Sequence, residues 1–341
     1  MVVNRTELLK ILASLKPGLA KKEMVEQATH FIFTGDDVVT YNDQICISHP
    51  YLSGIKFSVK GEEFYKCLEV AQGDDVDLIL QENKLSIKAK KTKASLSLVL
   101  DDRDRVESHI SKMKATMSDW VPLPSDFLYA LSLCSFSASR DLSTGILACV
   151  MITNNKVFAT DRNRVSRFTL EQSLNNTFFL FARDVLELLK LPVTEFCIPE
   201  GWVHFKTKDD VTFSCRTISG SLPNLNNFFN VEGPTIKLPD DLKESVDAVI
   251  FMTKGDSESS RFIEVAITEG KLTVKGEKER GWIEKMVNID YKDEPITFRI
   301  NPNFLSQILE RSANITVGRK AVYFNTEKFE HVIALVLMET A

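Results

Sequence analysis

Asp74, Asp75 and Asp77 place three carboxylates within four residues, a grouping of hard oxygen ligands of the kind that holds a magnesium ion. The run falls where a helical pattern gives way to a strand, and aspartates at such a place also serve as turn formers. The five histidines, His30, His49, His109, His204 and His331, are far apart in sequence, and His204 and His331 fall inside strand patterns, where packing is the commoner role. The six cysteines, Cys46, Cys67, Cys134, Cys149, Cys197 and Cys215, form no CxxC and have no histidine at ligand spacing, so they read as buried free thiols. No GxxxxGK[ST] loop, GxGxxG turn, HExxH helix or GxSxG elbow occurs. No catalytic residue, metal site or cofactor is assigned on this inventory, and a metal-dependent enzyme acting through Asp74 to Asp77 is the weakest of the readings carried forward.

The elements that would position any site recur. Leu123-Pro124-Ser125-Asp126-Phe127-Leu128 is echoed by Leu238-Pro239-Asp240-Asp241-Leu242 and, more loosely, by Thr6-Glu7-Leu8-Leu9. A second helix signal returns at Glu63 to Leu68, Asp184 to Leu189 and Asn303 to Leu309. Each second helix runs into an alternating strand pair with a turn between: Val76–Leu80 and Lys84–Lys88, Glu195–Ile198 and Trp202–Lys206, Asn314–Val317 and Val322–Phe324. The period of 115 to 121 residues predicts three α+β domains rich in antiparallel strand, bounded at 1–117, 118–234 and 235–341. The charged stretch Asp101 to Asp119 and the segment Asn224 to Lys237 with Gly233-Pro234 are the expected separators.

A chain of 341 residues in three such units gives each enough length for a core of its own. No apolar run approaches the ~20 residues a membrane helix needs, and Met1 to Arg5 lacks a leader's apolar stretch, so a cytoplasmic protein without membrane contact is expected. The net charge of −5 argues against a uniformly phosphate-gripping surface. Basic residues nevertheless gather at Lys16 to Lys22, Lys84 to Lys93 and Arg103 to Lys114, while acids gather at Glu62-Glu63, Asp74 to Asp77 and Asp290 to Glu294.

Phe158-Ala159-Thr160-Asp161-Arg162-Asn163-Arg164-Val165 resembles the Ala-Thr-Asp-Gly-His-Arg-Leu signature of the bacterial beta sliding clamp, the processivity subunit of DNA polymerase III. Gly220-Ser221-Leu222-Pro223-Asn224-Leu225 resembles that family's Gly-Arg-Phe-Pro-Asp-Tyr segment, and Arg183 to Leu189 resembles the helix lying between them. The departures are Arg162-Asn163 for Gly-His, Leu222 and Leu225 for the aromatics, and the ending Leu337-Met338-Glu339-Thr340-Ala341 for Met-Pro-Met-Arg-Leu. The resemblance thus points to a divergent member, of the kind a phage or mobile element would carry.

The resemblance implies a head-to-tail homodimeric ring of DNA-clamp domains, each with two helices packed on antiparallel sheets, with helices lining a hole around double-stranded DNA read without regard to sequence. A closed ring replaces affinity by topology, so few phosphate contacts suffice. Apolar helix faces (Leu8, Leu9, Leu12 and Leu15; Phe64, Cys67 and Leu68; Phe127, Leu128 and Leu131; Leu186 and Leu189; Phe304 and Ile308) are expected on the sheets. Lys10, Lys16, Lys21, Lys22, Lys66, Arg140, Arg183 and Arg311 are the expected DNA-facing cations. DNA polymerase and clamp loader would dock short peptides in a cleft of Ile146, Thr160, Arg162, Arg164, Val165, Pro223, Asn227, Phe228, Leu335, Val336, Leu337 and Met338. Read without the resemblance, Val332 to Met338 is simply a last core strand. The dimer contact is expected at Ile250 and Phe251, facing Leu96 on the strand Ala94 to Leu98. A clamp-fold scaffold that binds peptides without encircling DNA is the alternative.

Overall fold

The computed structural model describes residues 1–98, 103–221, 223–253, 255, 257 and 260–337. One element order, strand, helix, four strands, helix, three strands, runs through the chain three times. The first pass holds β1 (Val2–Asn4), α1 (Arg5–Leu15), β2 (His30–Thr34), β3 (Asp37–Tyr41), β4 (Ile45–Pro50), β5 (Lys56–Lys60), α2 (Gly61–Val70), β6 (Asp75–Gln81), β7 (Lys84–Ala89) and β8 (Thr92–Ser97). Helix α3 (Arg103–Ala115) intervenes. The second pass holds β9 (Val121–Pro122), α4 (Phe127–Cys134), β10 (Cys149–Thr153), β11 (Lys156–Thr160), β12 (Arg164–Thr169), β13 (Thr177–Phe181), α5 (Ala182–Leu188), β14 (Val193–Cys197), β15 (Trp202–Thr207) and β16 (Thr212–Arg216). The third holds β17 (Thr235–Lys237), α6 (Leu242–Val249), β18 (Ile263–Thr268), β19 (Lys271–Lys278), β20 (Gly281–Asn288), β21 (Ile296–Ile300), α7 (Pro302–Leu309), β22 (Asn314–Val317), β23 (Ala321–Asn325) and β24 (Phe329–Ala334).

Two compact units result, Met1–Leu123 with Leu186–Ile218, and Pro124–Val185 with Ser219–Ala341. The first contains a four-stranded sheet, β1-β6-β7-β8, and an eight-stranded one, β5-β2-β3-β4-β16-β15-β14-β9. The second contains an eight-stranded sheet, β13-β10-β11-β12-β24-β23-β22-β17, and a four-stranded one, β20-β19-β18-β21. Each eight-stranded sheet is therefore two half-sheets from successive passes, joined by one antiparallel junction. The junction of the first unit pairs β4 with β16, Ile47 opposite Phe213; that of the second pairs β12 with β24, Ser166 opposite His331.

Local chemistry sets the helices. Asn4 caps α1 by accepting from the Glu7 amide at 3.0 Å, and Asn301 caps α7, accepting from Asn303 and Phe304 ahead of a proline at the first turn. The i, i+3, i+4 spacing of Leu8, Ile11, Leu12 and Leu15 gives α1 one buried stripe. Phe64 of α2 meets the Phe33 ring edge-on at 6.1 Å, and Phe33 stacks on Phe57 at 4.2 Å, so helix and sheet share one aromatic core.

Two expectations shift. In α5 the buried apolar positions are Val185 and Leu188, while Leu186 is 54% exposed, because the helix enters from β13 with a phase one residue away from the expected stripe. The polar separator 101–119 contains helix α3, which buries Ile110 and Met113 against Ile32, Val39, Tyr41 and Cys46. Two apolar side chains three apart hold it down, a stripe too narrow to stand out in so charged a segment.

Candidate partner groove and cationic surfaces

The Thr160 to Val165 segment is a tight turn organised by its own polar side chains. The Asp161 carboxylate accepts from the amides of Asn163 (3.0 Å) and Arg164 (3.1 Å), and the Thr160 hydroxyl donates to the Arg164 carbonyl at 2.7 Å. Arg162 sits at φ +79°, the left-handed conformation that glycine adopts at little cost, which accounts for glycine at this place in the resembling signature. Its side chain is exposed.

Strand alternation then separates the neighbours. Arg164, Ser166 and Phe168 are buried on the helix-facing side. Arg164 bonds Asp161 at 2.9 Å and Gln307 of α7, and its guanidinium lies 4.1 Å from the centre of the Phe304 ring. It therefore ties β12 to α7, a structural role, with only 6% of the residue exposed. Val165 and Arg167 face the other way. Arg167 makes a two-pronged contact with Glu330, both distances 2.6 Å, and covers the Phe229 ring at 3.9 Å. This contact seats the short 3-10 turn Asn226–Phe229 on the outer face, with Asn227 exposed and the Phe228 ring 57% exposed.

Two further segments come in from elsewhere. A Cβ on Gly220 would lie 3.1 Å from Ile146, so the backbone at Gly220 runs close against Ile146. The Ala334 amide donates to the Asn163 carbonyl at 2.8 Å, and beyond it Leu335 and Val336 donate to Lys320 and Arg299. Leu335, Val336 and Leu337 line a groove of about 520 Å3 with Pro234, Ile296, Phe298, Val317 and Arg319. Leu337 is 69% exposed. Of the expected cleft, the turn residues, Ile146, Pro223, Asn227, Phe228 and Leu335–Leu337 fall in one unit, with Arg164 turned inward; the last strand ends at Ala334 and does not extend through Leu337 as expected, and Met338 and Leu222 lie outside the described residues. Arg167, Phe229 and the Ile296–Arg299 wall were not visible in the sequence, because their role comes from strands brought together over long separations.

In the first unit Lys16, Lys21 and Lys66, joined by Lys60, line one concavity of about 440 Å3 with Tyr65, Glu62 and Glu69. The Lys16 ammonium lies 3.2 Å over the Tyr65 ring and Lys66 pairs with Glu62 at 2.6 Å. Lys10 and Lys22 are exposed, as is Arg140 in the second unit. Arg183 pairs with Asp184 at 3.1 Å yet keeps about half its side chain exposed (49%). Arg311 is withdrawn: it packs 4.3 Å over Phe136 and bonds the Gln307 carbonyl, and burial pulls its pKa below the usual guanidinium value.

Asp75 and Asp77 pair in the β1–β6 ladder, Asp77 also 3.6 Å from the Met1 ammonium, and among the described residues no three His, Cys, Asp or Glu side chains are arranged around a metal position. His331 lies fully buried, its Nδ1 2.8 Å from the Ser166 hydroxyl. Burial holds the Cys46 and Cys149 thiols up at about 12, so both stay protonated and poor nucleophiles. No described helix is long and apolar enough to cross a membrane.

No family model matches the chain, and no curated protein matches it. Solved structures do. The beta chain of DNA polymerase III from Streptococcus pneumoniae TIGR4 superposes with a TM-score of 0.85 at 17% identity, covering 99% of both chains. The beta subunit from Streptococcus pyogenes gives 0.84 at 16% identity, again over 99% of both. A sliding clamp from Pseudomonas aeruginosa, solved bound to griselimycin, gives 0.82 at 13% over 99% of both. The chain therefore has the sliding-clamp fold from end to end.

Proposed function

We propose that the chain is a DNA sliding clamp, a non-catalytic ring-shaped homodimer that encircles duplex DNA and tethers a polymerase and other DNA-processing proteins. The observation that carries this reading is the threefold element order ending in two half-sheets: β8 and β20, counterparts of the strands joined at the two internal junctions, are end strands of four-stranded sheets with no further strand paired to them among the described residues apart from a bridge between Leu98 and Val59, while the other half-sheets have fused in pairs. Two exposed edges of one repeating design, in one chain, suit head-to-tail closure of two copies into a ring. The three passes would then be three domains, 1–117, 118–234 and 235–341, six in the ring.

The lysine-lined concavity, with Lys10, Lys22, Arg140 and Arg183, would supply the loose phosphate contacts, and Arg311 would contribute little directly. A net charge of −5 suits such a ring, since acids elsewhere discourage DNA from the outer surface. The partner cleft would run from Ile146 and the Thr160–Val165 turn past Phe228 to Leu335–Leu337, a set of apolar anchors around exposed Arg162 that fits a short hydrophobic peptide of micromolar affinity, about −8 kcal/mol. Arg162 would give the rim a positive charge and a preference for a peptide with an acidic residue beside its apolar anchors.

Negative-stain electron microscopy of the purified protein tests the reading. Six-lobed rings with an open centre are expected; solid or crescent particles at micromolar concentration would leave only a peptide-binding scaffold. Ile250 and Phe251, the latter 63% exposed, should lie in the closing contact with Leu96, so replacing both by aspartate should halve the mass seen by light scattering.

A further inference from the structure

We propose that a second copy of the chain adds its β20 to β8 in one fixed register, Glu284 opposite Lys93, and that this ion pair selects the register; the proposal rests on the ring reading above. The argument uses the two junctions already present. In the first half of each pass, Val38, Val157 and Leu272 occupy the same place beyond the first hairpin, opposite Phe33, Ile152 and Ile267. Their partners on the next strand are His49, Phe168 and Val287. Ile47, Ser166 and Lys285, two residues before each, are therefore equivalent.

In the second half, the carbonyls of Asp74, Thr194 and Ala313 accept from the amides of Arg5, Leu123 and Leu238, which makes Val76, Phe196 and Ile315 equivalent. Following each ladder outward, Phe196 pairs with Phe205 and Phe205 with Phe213, while Ile315 pairs with Phe324 and Phe324 with His331. In the first pass the ladder Asp77–Lys88 extends to Val76 and Ala89, and Ala89 pairs with Thr92. Thr92, Phe213 and His331 are equivalent. The two alignments are independent, and both internal junctions satisfy them: Ile47 faces Phe213 and Ser166 faces His331.

The same rule sets Lys285 opposite Thr92, and by antiparallel count Glu284 opposite Lys93, Ile283 opposite Ala94 and Trp282 opposite Ser95. Three features of the free edges agree. Lys93 stands directly opposite Lys88 within its own sheet, and Lys88 has Asp77 on its other side, so Lys93 is the cation of that row with no carboxylate facing it. Neither Lys93 nor Glu284 has an ion-pair partner among the described residues, and both are exposed. Trp282 and Met286 expose 64% and 56% of their surface on the edge strand that would be covered.

Charge exchange tests the register. Glu284→Lys alone and Lys93→Glu alone should each weaken the dimer at least about tenfold in sedimentation equilibrium, and the double variant should return to within about threefold of the starting protein. Under mild oxidant, Trp282→Cys with Ser95→Cys should form covalent dimers faster than Glu284→Cys with Ser95→Cys. A dimeric protein whose double charge variant stays as weak as the singles, or whose second cysteine pair closes faster, overturns the register and leaves the ring. A protein that is monomeric at all concentrations overturns both.

Discussion

The two internal junctions share a register and almost nothing else. In the first unit, Ile47 and Phe213 meet as fully buried apolar side chains, and α3 covers the outer face through Ile110 and Met113. In the second, Ser166 and His331 meet instead, with the Ser137 hydroxyl 2.7 Å from that of Ser166, and the outer face carries the Arg167–Glu330 pair under the Phe229 ring. The antiparallel ladder fixes the backbone in both, so either an apolar pair or a polar pair bonded through the His331 Nδ1, its Nε2 left without a partner, serves at the junction. What differs in consequence is the cover. A thirteen-residue helix closes the first outer face, whereas a four-residue 3-10 turn leaves the second with exposed Phe228 and the groove beside Leu337.

The largest expected break of this comparison is Phe213→Ala, which empties the apolar junction and should cost about 3–5 kcal/mol in urea unfolding of the first unit, with the second unit's transition unmoved. Acid should act next. Burial holds His204 neutral, its pKa lowered to about 4, with its Nδ1 2.7 Å from the Ser214 hydroxyl. The unfolded chain takes up that proton below its ordinary 6.5 and the folded chain does not. Stability is therefore intact above pH ~6.5 and falls by up to about 1.4 kcal/mol per pH unit as pH drops from there toward 4, about 3 kcal/mol in all. His331, buried beside Arg164 and Arg311, is lowered in the same direction and should steepen the fall in the second unit. Urea midpoints between pH 7 and 4.5 check this, and His204→Gln should flatten the slope of the first unit only.

Arg167→Ala sharpens the contrast between the covers. It should cost about 2 kcal/mol, since both partners of the pair are largely buried and Glu330 would lose its counter-charge. Protease cleavage near Asn226–Phe229 should rise while α3 stays protected. The smallest effect belongs to Arg162→Gly, which relieves the left-handed backbone and should raise stability by up to about 1 kcal/mol, read as a modest rise in Tm.

How far these features were legible depends on the range of the interactions behind them. The second-helix-to-hairpin units were readable because their signals are local: the expected pairs 76–80 with 84–88, 195–198 with 202–206 and 314–317 with 322–324 appear as β6–β7, β14–β15 and β22–β23. The Thr160–Val165 turn was readable too, since Thr160 and Asp161 bond their own neighbours. Helix α3 and the phase of α5 were not, because a narrow apolar stripe and a one-residue helix entry are settled by the surface each meets.

From the sequence alone came the threefold α+β repeat, the alternation of its strands and the turn motif, all products of periodicity and of side chains acting within a few residues of their own backbone. Only the tertiary structure decided that half-sheets of successive passes fuse while β8 and β20 remain end strands among the described residues. It also turned Arg164 inward and Arg167 outward, withdrew Arg311 over Phe136, and placed Lys60 beside Lys16 and Lys66. Those outcomes depend on contacts between residues far apart in the chain, 165 positions in the case of Ser166 and His331, where pairing and burial select the partner and nothing in the neighbouring sequence can.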